Sequence, residues 1–322
     1  MQDDVPPLAL LYVMRDTPLW LVGLIMTVVV VAYAVGLLLL ARYRYGEDRL
    51  KLNNEVAGFK YAVVGVLYAV LLAFVVIAVW EDYSETEDAV RAEAKAAVDL
   101  YRVAEALPGK GAAIRSGVVK YVQDVRETSW DAMATGQESE LVAQDLRTLS
   151  HRILALDVQS RKEQILFQQA LDLLTVITDN RNERLDSANG SVPAVLWFVL
   201  VVGGIITLGY PAFFAASNLV AQVLMTGSLA ALLALTLFLG LAFDFPFTGD
   251  PHISKEPFAD ALLQMDCVTA SSRAFVPPLA VQCGRPVRRS RANRLGGAMH
   301  ERTCLDVYCG RFVCWTSTKY IC

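Results

Sequence analysis

The sequence predicts an all-α, polytopic membrane protein with four transmembrane helices and a helical bundle inserted between spans two and three. Residues 19–41, 61–80, 193–214 and 219–243 are apolar runs of about 20 residues, long enough to cross a hydrocarbon core of roughly 30 Å as helices. None of the four contains Lys, Arg, Asp, Glu or His. Between the second and third runs, residues 81–192 are polar overall but carry apolar stripes at helical spacing. Composition agrees, with 55% hydrophobic and only 19% charged residues, too apolar for a soluble domain of this length.

The N-terminal segment, 1–18, lacks the basic n-region of a secretory signal, and no small-residue cleavage site follows the first run. Span one, 19–41, therefore reads as a retained anchor. Trp20 at one end and Tyr43 and Tyr45 at the other suit interfacial aromatic belts, as do Trp80 and Tyr83 after span two. The loop 42–60 concentrates Arg42, Arg44, Arg49, Lys51 and Lys60, which makes it the expected cytoplasmic side. Span two, 61–80, is followed by Glu81, Asp82, Glu85, Glu87 and Asp88, an acidic flank expected outside the cytoplasm.

Four helical stripes run through the 81–192 insert. They are Val90, Ala94, Ala97, Tyr101 and Ala104; Ile114, Val118, Tyr121 and Val125; Val142, Leu146, Leu149, Ile153 and Leu156; and Leu166, Ala170, Leu173 and Ile177. Steps of three and four are the spacing of a bundle seam, and Pro108-Gly109 stops the first stripe. An antiparallel bundle is expected, its first and last helices continuing spans two and three. The insert has 13 basic against 20 acidic residues and no aromatic-rich basic face, which excludes a nucleic-acid partner. Around an ion path such a field would concentrate cations.

Span three, 193–214, is thinned by Gly203, Gly204 and Gly209, and span four, 219–243, carries Gly227, Ala230, Ala231 and Ala234 at four-residue steps. Small residues at such spacing allow close helix contact, for packing within the chain or between subunits. Residues 244–263 close the apolar part. Beyond them, 264–322 changes character: residues 267–322 hold 9 basic and 2 acidic residues, against 20 and 31 in 1–266. All six cysteines, Cys267, Cys283, Cys304, Cys309, Cys314 and Cys322, lie there too. The spacing of the last four lacks the paired Cys-x2-4-Cys knuckle of a zinc site. No helical or strand period runs through Arg285–Arg291, and a shifted reading frame produces this Arg, Cys, Gly and Ser bias. The expectation is that authentic sequence ends near Leu263 and that 264–322 is irregular.

No catalytic or cofactor constellation emerges, so an enzyme is not expected. His151, His252 and His300 share no motif, and neither a Gly-x-x-x-x-Gly-Lys-Ser/Thr nor a Gly-x-Gly-x-x-Gly phosphate loop occurs. Asp250, His252 and Glu256 are interleaved with Pro251 and Pro257, which suits an interfacial loop better than a metal site. Tyr68 and Phe74 are candidates to face a pore from span two, but six residues apart they stand about 120° off a shared face.

Asn54-Glu55-Val56-Ala57-Gly58, then Gly65, then Tyr68 through Val76 including Phe74, with Trp80 and Tyr83, resemble the bacterial bestrophin-like domain family. Glu93-Ala94 and Leu100-Tyr101-Arg102 continue the match, and Phe247-x-Gly249 with Ile253-Ser254-Lys255-Glu256-Pro257-Phe258 resembles the family's closing motif, with Lys255 where Pro is expected. The resemblance covers about 20–262. It implies Asn54, Glu55, Gly58, Gly65, Tyr68, Phe74 and Trp80 as pore or family positions and Glu256, Pro257 and Phe258 as closing-motif positions. By analogy with bestrophins, which are pentameric anion channels with a hydrophobic neck, span two would line a pore and the insert would be cytoplasmic. The loop charges instead place 42–60 in the cytoplasm and 81–192 outside, in the inner membrane of a bacterial cell.

The leading expectation is a homo-oligomeric, bestrophin-like ion channel in contact with lipid and an inorganic ion, of open selectivity. Its rival is a non-conducting sensor or scaffold working through a partner protein at the 42–60 loop.

Overall fold

The computed structural model describes residues 18–107, 109–249 and 252–274. These form helices joined by short turns and loops, with no strand among the described residues. The chain divides into two compact units, 1–262 and 263–322.

In the first unit, α1 (Leu19–Tyr45) ends at Gly46, whose φ of 79° reverses the chain into the short α2 (Glu47–Lys51). Next comes α3 (Asn54–Glu105), 52 residues without a break. Its first half is span two and its second half is the first helix of the insert. At 1.5 Å per residue it is about 78 Å long, well over twice a bilayer core.

The insert continues with α4 (Ala112–Asp124), a π-helical turn (Val125–Ser129), α5 (Trp130–Met133), α6 (Glu140–Leu154) and α7 (Arg161–Asp186). Ser160 caps α7 by accepting a hydrogen bond from the Glu163 amide at 3.2 Å, while Glu163 reaches back to the Gln159 amide at 3.1 Å, a capping arrangement shifted by one residue. The expected stripes face inward: Val90, Ala97, Val118, Tyr121, Val125, Leu149, Ile153 and Ile177 are all buried. α3 packs along α7 and against α4, and α4 against α6, so the insert is a bundle with α3 as its common wall.

The junction with span three differs from expectation. α7 does not run into the membrane as one helix; it tightens into a 3-10 turn (Ser187–Asn189), reverses at Gly190 with φ 84°, and restarts after Pro193 as α8 (Ala194–Gly209). Gly190 accepts a left-handed backbone, and Pro193 cannot donate a backbone hydrogen bond to continue the preceding helix. A second 3-10 turn (Tyr210–Phe213) leads to α9 (Leu219–Asp244), capped by Asn218. Four stretches are long and apolar enough to span a membrane: α1, α3, Arg161–Phe213 and α9.

Within the apolar region, α1 lies along α9 where Gly227 lets Val31 and Val35 approach. Tyr68, Leu72, Val75 and Val79 of α3 pack on Leu200 of α8. Here the glycines serve the protomer itself: a Cβ on Gly203 would stand 2.8 Å from the Tyr68 ring, and one on Gly204 would stand 3.0 Å from its hydroxyl. The Tyr68 hydroxyl donates to the Leu200 carbonyl at 3.1 Å, so the ring has little room to yield. Gly203→Ala is expected to cost about 1–3 kcal/mol as overpacking. The check is thermal unfolding in detergent, where adding Tyr68→Leu should restore most of the loss.

The last described element is α10 (Glu256–Ala274). Residues 264–274 therefore continue a helix, in contrast to the irregular tail expected from Leu263 onward. Of the second unit only 263–274 is described; Cys283, Cys304, Cys309, Cys314, Cys322 and His300 lie outside the described residues, as do Pro108, Asp250 and Pro251.

Candidate functional site

The two sides of α3 have opposite characters. Counting 100° per residue from Val63, the positions of Leu67, Val70, Phe74, Ile77, Glu81, Glu85 and Asp88 all fall within 40° of it. Every one of them is exposed in the protomer, Phe74 to 68%. Tyr68, Leu72, Val75, Val79, Thr86 and Glu93 point the other way and are buried. Tyr68 is thus a packing residue inside the protomer, and of the two sequence candidates only Phe74 stands on the open face. That face is an apolar strip through the membrane that turns acidic as the helix enters the insert.

Behind the acidic stretch sits a buried polar group that the sequence reading did not connect. Arg184 of α7 and Glu93 of α3 are 1% and 0% exposed, with Arg184 Nε to Glu93 Oε2 at 2.8 Å and Nη2 to Oε1 at 3.1 Å. The Tyr121 hydroxyl donates to Glu93 Oε1 at 2.6 Å, and Arg184 Nη1 points at Met133 Sδ, 3.1 Å away. Burial, reinforced by the Glu93 charge, pushes the Tyr121 hydroxyl well above the usual tyrosine range. For Arg184, burial opposes the charge, but Glu93 outweighs it and holds the guanidinium above its ordinary value.

The closing motif completes this group. Trp130, swung inward just after the π-helical turn, lies under the Arg184 guanidinium at 5.6 Å and donates its indole N–H to the Ile253 carbonyl at 2.7 Å. Phe258 is fully buried, 5.9 Å from the same guanidinium and edge-on to Trp130. Glu256, exposed, and Pro257 form the first turn of α10, with Ser254 Oγ accepting from the Glu256 amide. Of the three closing positions, then, Phe258 enters the core while Glu256 and Pro257 start the helix that carries it.

A second buried acid, Asp244, sits where span four meets the broken joint before span three. Its Oδ1 accepts from the Ser191 and Val192 amides at 2.9 and 3.0 Å, and its Oδ2 from the Trp197 indole N–H at 2.9 Å. The two amides belong to the residues just before Pro193, outside the helical hydrogen-bond ladders of α7 and α8. Asp82 of α3 approaches the same joint at Ser191, with Oδ2 buried. Trp80 stacks on Tyr83 and meets Phe243 edge-on, forming an aromatic belt at this end of the spans.

At the opposite end, Asn54 braces the turn between spans three and four, donating to the Ala215 carbonyl at 2.9 Å and accepting from its amide at 3.1 Å. Arg42 donates to the Ala216 carbonyl and to Gln222, and pairs with Glu47. Glu55 is exposed beside Asn54. A Cβ on Gly58 would meet Phe214 at an ordinary 3.9 Å, and one on Gly65 would meet nothing within 4 Å, so neither glycine is demanded by packing within the protomer.

His151 is exposed on α6, and His252 is exposed with Nδ1 3.0 Å from the Gly249 carbonyl. Among the described residues no three His, Cys, Asp or Glu side chains converge as metal ligands.

A family model described as the bestrophin-like domain matches residues 28–258, from the middle of span one to the buried Phe258. The chain belongs to the bestrophin-like family. Solved structures of similar fold include a crystal structure of a membrane protein, with TM-score 0.55, 14% identity, and coverage of 76% of this chain and 98% of that one. Two others are of a bacterial bestrophin homologue from Klebsiella pneumoniae, each with a single substitution. Their TM-scores are 0.55 and 0.54 at 14% and 13% identity, with the same coverage. At such identity the likeness is one of fold. No curated protein matches the chain.

Proposed function

We propose that this bestrophin-like protein assembles with copies of itself in the cell membrane into a channel lined by the open face of α3, and that the channel favours cations. The observation that carries this is the unbroken α3, which presents Val63, Leu67, Val70, Phe74 and Ile77 on one exposed strip and then Glu81 and Glu85 on the same strip. Rings of Phe74 and its apolar neighbours make a constriction that gates by wetting and drying. Rings of Glu81 and Glu85 at the mouth raise the local concentration of cations and deplete anions.

Orientation follows from the short loops. Arg44, Arg49 and Lys60 are exposed at the 42–60 end, whereas the insert end opens on carboxylates. The 42–60 loop is therefore on the cytoplasmic side and the insert is extracytoplasmic, the reverse of the bestrophin analogy. A reporter domain fused after residue 262, active only in the cytoplasm or only outside it, decides between the two, because the described chain reaches that point at the insert end.

The functional test is ion flux into liposomes carrying the full chain, with potassium and chloride gradients imposed separately and assembled size measured on the same sample. Potassium flux above that of empty liposomes is expected. Phe74→Ala should raise it, and Glu81→Gln with Glu85→Gln should lower the potassium-to-chloride preference by roughly an order of magnitude. A well-folded oligomer without flux would instead favour the non-conducting sensor or scaffold, and the search would move to partners of the 42–60 loop.

A further inference from the structure

Through the insert α3 and α7 lie side by side, and each carries charge on the flank turned away from the other. The two helices run antiparallel: Glu93 meets Arg184, and nearer the membrane Asp82 meets Ser191. Counting about 100° per residue, Arg91, Lys95 and Arg102 stand about 160–180° from Glu93 on α3. On α7, Asp172, Asp179, Glu183 and Asp186 stand about 100–160° from Arg184, all to the same side. All seven side chains are exposed. The helix pair is therefore cationic on its outer α3 flank and acidic on its outer α7 flank.

Neither flank is neutralised within the protomer. Lys95 and the four acids of α7 have no ion-pair partner among the described residues. Arg91 pairs only with Glu87 and Asp88, and Arg102 only with Asp99, all exposed neighbours on the same helix. Pairs of that kind are weak and open to exchange. The buried arginines of α7 are engaged elsewhere, Arg181 with Glu138 and Arg184 with Glu93, and Arg161, on the same flank as the acids, stands about three turns from Asp172. The two flanks also match in height. Because Glu93 and Arg184 are level, Arg91 is level with Asp186, and Lys95 lies about 1.5 Å from the level of Glu183. Arg102 falls between Asp172 and Asp179. Copies related by an axis along the helices keep the height of every residue, so groups on the same level are the ones that meet across a contact.

We propose that neighbouring copies pack the outer α3 flank of one against the outer α7 flank of the next, with Lys95 paired to Glu183 of the next copy and Arg91 to its Asp186. Such a contact is heterologous: the cations of one copy meet the acids of the next, so it repeats in one direction and closes as a ring. Two copies meeting through the same flank would set like charges against each other, which is costly. Pairs this exposed choose the neighbour and fix its register more than they add affinity. The proposal rests on the self-assembly read above and stands whether or not the protein conducts ions.

The test is carbodiimide coupling, which joins a lysine amine to a carboxylate in direct contact without a spacer. It uses the full chain, assembled in vesicles from equal parts of unlabelled and heavy-isotope-labelled protein, with assembled size measured on the same sample. A coupled peptide joining Lys95 to Glu183 is expected, with light and heavy halves combined, which only a bond between copies produces. Lys95→Glu sets two carboxylates against each other and should weaken association about tenfold. Adding Glu183→Lys exchanges the charges across the contact and should recover the association, which separates the contact from a general loss of fold. A monomeric wild type overturns this contact together with the assembly it rests on. A wild-type oligomer without mixed-isotope coupling, an oligomer unchanged by Lys95→Glu, or a double variant that recovers nothing overturns the contact alone and leaves the assembly standing.

Discussion

Arg184→Met is expected to destabilise the extramembrane bundle by about 3–5 kcal/mol, because it leaves the Glu93 carboxylate buried without its counter-charge. Glu93 is 0% exposed, and its remaining partner, Tyr121, offers one hydrogen bond in place of a bidentate ion pair. In a unit of this size the loss corresponds to a fall in apparent Tm on the order of 10 °C. Glu93→Gln combined with Arg184→Met should recover a large part of the loss. The neutral amide keeps an acceptor for Tyr121, and removing both charges avoids their desolvation cost. Thermal unfolding of the wild type, the single and the double variants provides the measurement, and a double variant no more stable than Arg184→Met would show that the charge itself is not the cause. Because Trp130 and Phe258 both pack on the same guanidinium, protease cleavage after residue 253 should accelerate in the single variant.

Asp244→Leu is expected to cost about 3–5 kcal/mol, through a different physical route. The side chain is 1% exposed and accepts from the Ser191 and Val192 amides, the Ser191 hydroxyl and the Trp197 indole, so leucine strands four part-buried donors, each costing up to about 1–3 kcal/mol to the extent that water is kept from it. Asp244→Asn keeps one acceptor oxygen and should lose less. The readout is hydrogen exchange at residues 187–197, which should speed up in Asp244→Leu while α4 and α6 stay protected. Uniform loss of protection would mean that the joint is no separate unit. Since this joint connects α7 to span three, the variant should also alter flux in the liposome assay where Gly203→Ala alters only stability.

The two buried acids also show where sequence reasoning stopped short. Glu93 lies three residues after Val90 on the first apolar stripe of the insert, and Arg184 lies seven after Ile177 on the fourth. A charge of opposite sign at a seam position of two helices is a legible sign of a buried pair, but only if the two helices are known to touch. Nothing local links positions 91 residues apart. Asp244 was hidden for a similar reason: it follows span four as an unremarkable polar boundary, and its partners are supplied by the start of span three. Trp130 reaches its site after a π-helical turn, a distortion with no sequence signature of its own.

What the sequence determined by itself was whatever depends on neighbours along one helix. The four apolar runs, the helical class, the inward stripes of the insert and the 120° separation of Tyr68 from Phe74 follow from hydrophobicity and a period of 3.6 residues. Family membership was legible too, through the Asn54–Trp80 and Phe247–Phe258 segments. Tertiary structure alone decided which side of each helix meets another: that Tyr68 fills the space left by Gly203 and Gly204, that Phe74 continues into Glu81 and Glu85 on an open face, and that Phe258 closes over Arg184. It also decided where helices stop, making α3 unbroken and breaking the passage from α7 to α8, and it carried α10 past Leu263. The reason is that an apolar or charged side chain states its preference for burial locally, whereas the partner that satisfies it is chosen by packing between segments far apart in the chain.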